Sequence, residues 1–201
     1  MKQWLIGTLF GCALWTLGSA LAQPASVGST APAFAAKDLS GKPVALADYK
    51  GKFVVLEWTN PDCPYVRKHY NSGNMPATQK NALGKGAVWL SVSTGDTHSA
   101  SELQSWQKTK SAAPTATLAD TDGRIARAYG ARTTPHMYIV DPQGTLIYAG
   151  AIDSKASSNP ADIATATNYV DQALTEAMAG KAVSRATTQA YGCSVKYPSG
   201  A

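Results

Sequence analysis

An apolar run that ends shortly before a cysteine constrains the fold of this chain more than any other feature. Residues Phe53–Trp58 form an essentially apolar run, which is typical of a central strand buried on both faces of a sheet. Pro64 suits the first turn of a helix, and the side chain of Asp62 is predicted to cap that helix. Cys63 is therefore predicted to lie between a buried strand and the start of a helix.

The rest of the chain alternates predicted strands with amphipathic helices. One hairpin is predicted over 34–46, and a second over 137–148 around the turn Asp141-Pro142-Gln143-Gly144. The other predicted elements are a strand at 87–92, a helix from the capping box at Ser99 to about Lys108, a strand at 115–118, a short helix at 125–129 and a helix over 163–178. This order predicts an α/β fold with a mixed central sheet, helices on both faces and an N-terminal β-hairpin.

The first 22 residues have a different character from the rest. A lysine, an apolar stretch and Ala20-Leu21-Ala22 indicate a Sec-type signal peptide that is cleaved after Ala22. A membrane anchor and a lipoprotein signal at Cys12 are the alternatives. After residue 22, no apolar stretch approaches the length of about 20 residues that spans a membrane. We therefore expect a periplasmic or secreted protein with no stable membrane insertion after cleavage.

Composition excludes several classes of protein. Hydrophobic residues make up 44% of the chain, which is enough for a core, and the net charge of +5 is not concentrated in any basic run. A disordered tail protein is excluded, and nucleic-acid binding is not predicted. Residues 23–33 are predicted as a loose lead-in, 34–182 as a single domain and 183–201 as a tail that carries Cys193.

Cys63 is the strongest candidate for chemistry. A sulfur in the first turn of a helix lies near the positive end of the helix dipole, which favours the thiolate and thus nucleophilic attack. Arg67 would assist this ionisation, whereas Asp62 would oppose it. Cys63 and Cys193 are the two cysteines that remain after cleavage, and an even pair in an exported chain indicates one disulfide. Cys63 is thus either a reactive thiol or a structural half-cystine.

The segment Thr133-Thr134-Pro135-His136 precedes an apolar strand, where a proline is unusual. Its X-Pro bond is either cis, at the edge of a strand, or an ordinary trans bond in a loop. His136 is either a proton acceptor for Cys63 or a histidine bonded to backbone.

Two further predictions concern the surroundings of the cysteine. Trp58 and Tyr65 either bracket Cys63 and limit access of water, or belong to the core. A metal site from the two cysteines and a histidine lacks clustered ligand spacing, so neither a metal nor another cofactor is predicted.

Four motifs together resemble a known superfamily over roughly residues 28–197. They are Asn60-Pro61-Asp62-Cys63-Pro64-Tyr65-Val66, Thr134-Pro135-His136, the segment 141–153, and Tyr191-Gly192-Cys193-Ser194-Val195-Lys196-Tyr197. The chain resembles the thioredoxin-like superfamily, and within it the redoxin group that includes peroxiredoxins of the alkyl hydroperoxide reductase type. More narrowly, it resembles an exported subgroup with a C-terminal Gly-Cys-Ser motif. The resemblance implies a cis-Pro135 beside Cys63 and a thiol-based redox activity of the antioxidant or disulfide-exchange kind.

The chain departs from both active-site signatures of that superfamily. Thioredoxins carry Cys-x-x-Cys where this chain has Asn60-x-x-Cys63, and two positions of the peroxiredoxin signature hold Leu56 and Asn60. Cys193 is the candidate that replaces the missing cysteine from the tail. The residues predicted to form or support the site are Cys63, Cys193, Trp58, Asn60, Pro64, Arg67, Thr134, Pro135 and His136.

The resulting hypothesis is an exported thiol-dependent oxidoreductase. Cys63 would attack a peroxide or a disulfide, Cys193 would resolve the product, and an unidentified thiol reductant would recycle the pair. The alternative is a non-catalytic thioredoxin-like module in which a permanent Cys63–Cys193 disulfide holds the tail in place.

Overall fold

The computed structural model describes residues 25–198, so the predicted signal peptide lies outside the described residues. The strands are β1 Ala35–Lys37, β2 Pro43–Ala45, β3 Val54–Trp58, β4 Val88–Thr94, β5 Ala116–Asp120, β6 Thr133–Thr134, β7 His136–Val140, β8 Leu146–Gly150 and β9 Cys193–Ser194. The helices are α1 Pro64–Asn71, α2 Asn74–Gly84, α3 Ala100–Thr109, α4 Arg124–Tyr129 and α5 Tyr169–Met178. No helix among residues 25–198 is long and apolar enough to cross a membrane.

Five strands form the central sheet in the order β5-β4-β3-β7-β8. β3 pairs parallel to β4 and antiparallel to β7, so the sheet is mixed and β3 lies at its centre. All five residues of β3 are buried, as the apolar run predicts. β1 and β2 form the predicted N-terminal hairpin, and the short strands β6 and β9 form a separate antiparallel pair.

Two layers of apolar side chains cover the two faces of the sheet. One layer includes Leu56 and Trp58 of β3 together with Tyr129 of α4. The other includes Val55 and Cys63, and it receives side chains from α1, α2 and α5. Alternate residues of β3 thus point to opposite layers, as the pleat of a strand requires. The prediction of an α/β fold with helices on both faces is confirmed.

The structure corrects the predicted C-terminal helix. α5 begins at Tyr169, whereas Ile163 lies in a separate 3-10 helix, Pro160–Thr165. Between them, Ala166 has extended backbone, and the side chain of Asn168 accepts hydrogen bonds from Val170 N and Asp171 N in the first turn of α5. The apolar spacing continues through this break, but Asn168 caps a new helix, so residues 163–178 do not form one continuous helix.

The lead-in is also better ordered than its composition indicates. Gly28 N donates to Leu146 O at 2.8 Å, and Leu146 N donates to Ser29 O at 2.9 Å. Ala31 donates to Gly144 O and is buried. The expectation of a loose segment is therefore wrong for the described part of the lead-in, because its backbone groups pair with the start of β8.

Candidate active site around Cys63 and Cys193

The turn between β3 and α1 fixes Cys63 from both sides. The Asn60 carbonyl accepts a hydrogen bond from Cys63 N at 3.1 Å, and the Asn60 side chain accepts one from Asp62 N at 2.8 Å. Cys63 is the N-cap residue of α1, and Pro64 is the first residue of the helix. Asp62 therefore does not cap the helix as predicted, because the helix begins one residue too late for it. Cys63 is only 2% exposed.

A backbone carbonyl from a distant part of the chain contacts the sulfur of this cysteine. The Thr134–Pro135 peptide bond is cis, which confirms the first of the two interpretations of this proline. The Cys63 Sγ donates a hydrogen bond to the Thr134 carbonyl oxygen at 2.9 Å. The Thr134 hydroxyl is buried and has no hydrogen-bond partner among the described residues. A donor thus lies free beside the sulfur.

The tail brings the second cysteine to the same place. β9 pairs antiparallel with β6, and in this register Cys193 lies opposite Thr134. Val195 N donates to Arg132 O at 3.0 Å and extends the pairing. Because Thr134 contacts the sulfur of Cys63 and faces Cys193 across the strand pair, the two cysteines converge on one residue. Both are free thiols in this structure.

The two thiols differ in how readily they ionise. Burial raises the pKa of Cys63, but the Cys193 thiol, the Val66 N–H and the otherwise unpartnered Thr134 hydroxyl can donate to its thiolate and outweigh burial, so the pKa lies below its ordinary value. Burial, followed by the hydrogen bond and the negative charge of Cys63, raises the pKa of Cys193 to about 11. The thiolate therefore forms preferentially at Cys63, as the position at the helix start predicts.

Arg67 and Asp62 act on the turn rather than on the sulfur. The guanidinium of Arg67 donates to the Pro61 carbonyl at 2.7 Å and pairs with Asp62 at 3.2 Å. His98 Nε2 lies 3.1 Å from the other oxygen of Asp62. Both side chains of the Arg67–Asp62 pair are more than half exposed, so the two opposite charges largely offset each other in solvent. We assign to Arg67 the role of closing the turn that presents Cys63.

The structure separates the alternatives for His136. Its Nδ1 accepts from Arg132 N at 3.3 Å and lies 3.2 Å from the Tyr138 hydroxyl. Burial, with a smaller effect from Arg132, lowers the pKa of His136 to about 4, so the ring is neutral. These contacts agree with the histidine bonded to backbone and not with a proton acceptor for Cys63.

Trp58 also proves to be a core residue. Its ring packs on Tyr129 and Tyr138, with ring centroids 5.6 and 5.1 Å away, and its Nε1 donates to Thr94. This side chain belongs to the layer on the opposite face of the sheet from Cys63. The idea that Trp58 brackets the cysteine is therefore wrong, because the pleat of β3 turns it away. Tyr65, in contrast, packs in the same layer as Cys63.

Sequence reasoning missed a buried polar group that we call the anchor cluster: Lys68, His69, Asp153 and Tyr191. Lys68 Nζ pairs with Asp153 at 3.4 Å, with both side chains almost fully buried. The Tyr191 hydroxyl donates to Asp153, and His69 Nε2 lies 3.2 Å from that hydroxyl. The signal in the sequence was the position of Lys68 and His69 next to each other in the predicted helix after Cys63, which does not by itself indicate a buried polar group.

Glycines mark the places where the tail lies against the domain. A Cβ at Gly192 would meet the Thr134 carbonyl oxygen, and one at Gly95 would lie 2.5 Å from the Lys196 oxygen. Gly192 has φ +134°, a conformation that favours glycine. Close backbone contact with Thr134 therefore requires a glycine before Cys193 in the tail.

Among residues 25–198, no three His, Cys, Asp or Glu side chains group as a metal site requires.

Comparison with known proteins places the chain in a family. The model of the AhpC/TSA family matches residues 27–149, which is more than half of the chain, so the chain belongs to the AhpC/TSA family. This confirms the predicted redoxin group, while the narrower subgroup with the Gly-Cys-Ser motif stays a prediction. The chain is also 28% identical over 122 residues to the thiol-disulfide oxidoreductase ResA of Bacillus subtilis. That match covers 61% of this chain and 65% of the relative, just under two thirds of its length.

Solved structures share the fold. An uncharacterized conserved protein from Geobacillus kaustophilus superposes with a TM-score of 0.75 and 23% identity, over 88% of this chain and 94% of that chain. The thioredoxin domain of a thiol-disulfide oxidoreductase from Bacteroides vulgatus gives 0.52 and 23%, over 70% and 96%. The predicted thioredoxin-like fold is thus confirmed.

Proposed function

We propose that this protein is a thiol-disulfide oxidoreductase in which Cys63 and Cys193 form a reversible redox pair. The observation that carries the proposal is the convergence of both cysteines on Thr134, whose carbonyl accepts from Cys63 Sγ and whose backbone pairs with Cys193. Membership of the AhpC/TSA family and the similarity to ResA support the same class of chemistry.

The first step is attack by the Cys63 thiolate on one sulfur of a substrate disulfide. A bond forms between Cys63 Sγ and that sulfur, the S–S bond of the substrate breaks, and the other substrate sulfur leaves as a thiolate. The hydroxyl of Thr134 and the N–H of Val66 stabilise the attacking sulfur in its ionised form. The proton lost by Cys63 ends on the departing thiol.

In the second step, Cys193 resolves the mixed disulfide. Its thiol loses a proton to solvent, and the resulting thiolate attacks Cys63 Sγ, so that the Cys63–Cys193 disulfide forms and the bond between Cys63 and the second substrate sulfur breaks. The second substrate sulfur then leaves as a thiol. The substrate disulfide gains two electrons, the cysteine pair loses two, and an external thiol reductant returns the pair to its starting state.

Two observations favour exchange with disulfides over the alternatives. The peroxiredoxin signature has a proline where this chain has the buried core residue Leu56, and a threonine or serine where it has Asn60, which closes the turn. The chain therefore lacks the signature hydroxyl three residues before Cys63. The tail is held by backbone pairing and by Tyr191, so its docking does not require a structural disulfide. We further propose that the chain works outside the cytoplasm, since its first residues have the pattern of a cleaved signal peptide.

Single-turnover reaction of the reduced protein with a small disulfide tests this function. Cys63→Ser is expected to abolish the reaction, and Cys193→Ser to leave the first step intact and trap a mixed disulfide on Cys63. The same variants are tested with hydrogen peroxide, for which a trapped sulfenic acid on Cys63 would indicate peroxidase chemistry instead. The proposal fails if wild type reacts with the disulfide no faster than free cysteine at the same pH.

A further inference from the structure

The buried anchor cluster lies next to the redox pair, and the two steps of exchange do not use it. Lys68 and Asp153 are 0% and 2% exposed, and burial of an ion pair costs free energy that a core of apolar side chains would not. Lys68 also donates to the Lys155 carbonyl at 2.9 Å, and Asp153 accepts from Lys155 N at 2.9 Å. The pair is thus held in one geometry, and Asp153 Oδ1, which accepts from Lys155 N, can accept from one more donor.

That donor is Tyr191, which belongs to the tail. Its hydroxyl donates to Asp153 Oδ1 and contacts His69 Nε2. Because Asn74 donates to His69 Nδ1 at 2.8 Å, the proton of His69 lies on Nε2 and points to the Tyr191 oxygen. The ring of Tyr191 packs edge-on against Tyr65, with centroids 5.8 Å apart. The side chain of Tyr191 is therefore fixed at both its ring and its hydroxyl.

The partners of Tyr191 relate it to the helix that begins at Cys63. Tyr65, Lys68 and His69 all lie on α1, and Cys63 is the N-cap of that helix. On the tail, Gly192 alone separates Tyr191 from Cys193, and this glycine lies against the Thr134 carbonyl. One rigid helix thus fixes the position of Cys63 directly and that of Cys193 through Tyr191.

We propose that Tyr191 is a positioning residue for the resolving step, which sets the effective concentration of Cys193 at Cys63. This inference rests on the function proposed above. The side chain of Tyr191 does not touch the reacting sulfurs in this role. It acts by holding the tail, through Asp153, where the thiol of Cys193 meets Cys63, which converts the second step into a reaction with an oriented neighbour.

The test compares Tyr191→Phe with Tyr197→Phe in the full chain. Each protein is equilibrated with reduced and oxidised glutathione, and peptide mass mapping quantifies the Cys63–Cys193 disulfide, which gives the effective concentration of the pair. We expect Tyr191→Phe to lower it by about tenfold, equivalent to about 1.4 kcal/mol, because a hydrogen bond to a buried charged group is lost. Tyr197 is a matched control in the tail, since its hydroxyl donates to the Ala131 carbonyl and the residue is 38% exposed.

For Tyr197→Phe the effective concentration is expected to change by about threefold or less, since water replaces a hydrogen bond at an exposed residue.

A second readout separates positioning from a general loss of structure. In the Cys193→Ser background, Tyr191→Phe should leave the urea midpoint of global unfolding close to that of the background, since the tail opens locally while the domain stays folded. In an Asp153→Asn background, Tyr191→Phe should have little further effect, since its charged partner is gone. Should Asp153→Asn fail to fold, the comparison of the two tyrosines decides alone.

The outcomes separate this inference from the function on which it rests. If wild type forms the disulfide and Tyr191→Phe leaves the effective concentration unchanged, the positioning role is wrong and the proposed function stands. Equal losses in both tyrosine variants would also overturn it, since the tail would then be held without a specific anchor. If wild type forms no Cys63–Cys193 disulfide in any glutathione mixture, the proposed function and the positioning role are both wrong.

Discussion

The two cysteines are held in place by different means. Cys63 lies at the junction of the central strand β3 and helix α1, where the core on both sides of the sheet fixes the backbone. Cys193 lies in a two-residue strand, β9, whose only strand partner among the described residues is the two-residue β6. The first position is therefore determined by the whole domain, and the second by a few identifiable contacts.

This difference separates stability from redox pairing. Substitutions around Cys63 should change the free energy of unfolding, because they disturb the core. Substitutions in the tail should change how the cysteines meet while the domain stays folded, because short segments open locally at lower free energy than the whole. The predictions below test that separation, from the largest expected effect to the smallest.

The largest effect on the free energy of unfolding is expected at Trp58, which belongs to the domain core and not to the tail. Trp58→Ala should reduce the free energy of unfolding by about 3–5 kcal/mol, because it leaves a cavity among Tyr129 and Tyr138. Tyr197→Ala is the control in the tail, where an aromatic residue is 38% exposed and should cost much less. Urea unfolding measures both, and equal losses would break the distinction between the two regions.

The next largest effect is the contribution of His136 to the pH dependence of the free energy of unfolding. Its pKa in the folded protein is about 4, against 6.5 for the free side chain, so the unfolded chain takes up a proton between these values that the folded protein does not. Stability should therefore fall as pH decreases from about 6.5 to about 4, by about 3 kcal/mol for this residue. His136→Asn, which keeps an acceptor for Arg132 N, should remove that part of the slope. An unchanged slope in urea titrations at pH 7 and pH 4 would contradict this assignment.

Gly192 tests the tail alone. Gly192→Ala should weaken docking of the tail by about 1–3 kcal/mol, because the Cβ meets the Thr134 carbonyl and the φ of +134° disfavours other residues. Hydrogen exchange at Val195 N–H should accelerate, while global unfolding in urea changes little. Gly180→Ala is the matched control, since Gly180 also has positive φ but open space around it. Similar exchange in both variants would show that close contact at Gly192 does not hold the tail.

The smallest effect is expected at Asp62. Asp62→Asn removes a carboxylate that is 68% exposed and already paired with Arg67 and His98. The free energy of unfolding should change by at most about 1 kcal/mol, as for other exposed ion pairs. Alkylation of Cys63 as a function of pH should show almost no shift. A marked acceleration would mean that Asp62 does act on the thiolate, contrary to the hydrogen bonds that govern its pKa here.

Most of the structure around Cys63 could be predicted from the sequence, but little of the structure of the tail around Cys193 could. The apolar run of β3, Pro64 at the start of α1 and Thr134-Pro135 are local patterns with direct physical meaning, and each was placed correctly. The side to which Trp58 points depends on which layer covers each face of the sheet. That information lies in distant residues such as Tyr129, which is why the sequence left open whether Trp58 brackets Cys63 or belongs to the core.

The anchor cluster shows the limit more clearly. Asp153 and Tyr191 are far in sequence from Lys68, and nothing in their spacing indicates that they meet. Their contact depends on the path of the tail across the domain. Gly192 carried the most useful signal, since a glycine beside a cysteine indicates close approach of backbone, but its partner Thr134 was not predictable from the sequence.

The reduction potential of the Cys63–Cys193 pair tests the central claim most directly. The full chain is equilibrated with dithiol buffers of known potential, and the fraction of disulfide is quantified by peptide mass mapping. A redox-active pair predicts reversible conversion at a potential above about −300 mV. A value well below about −300 mV would identify a permanent structural bond and contradict the account.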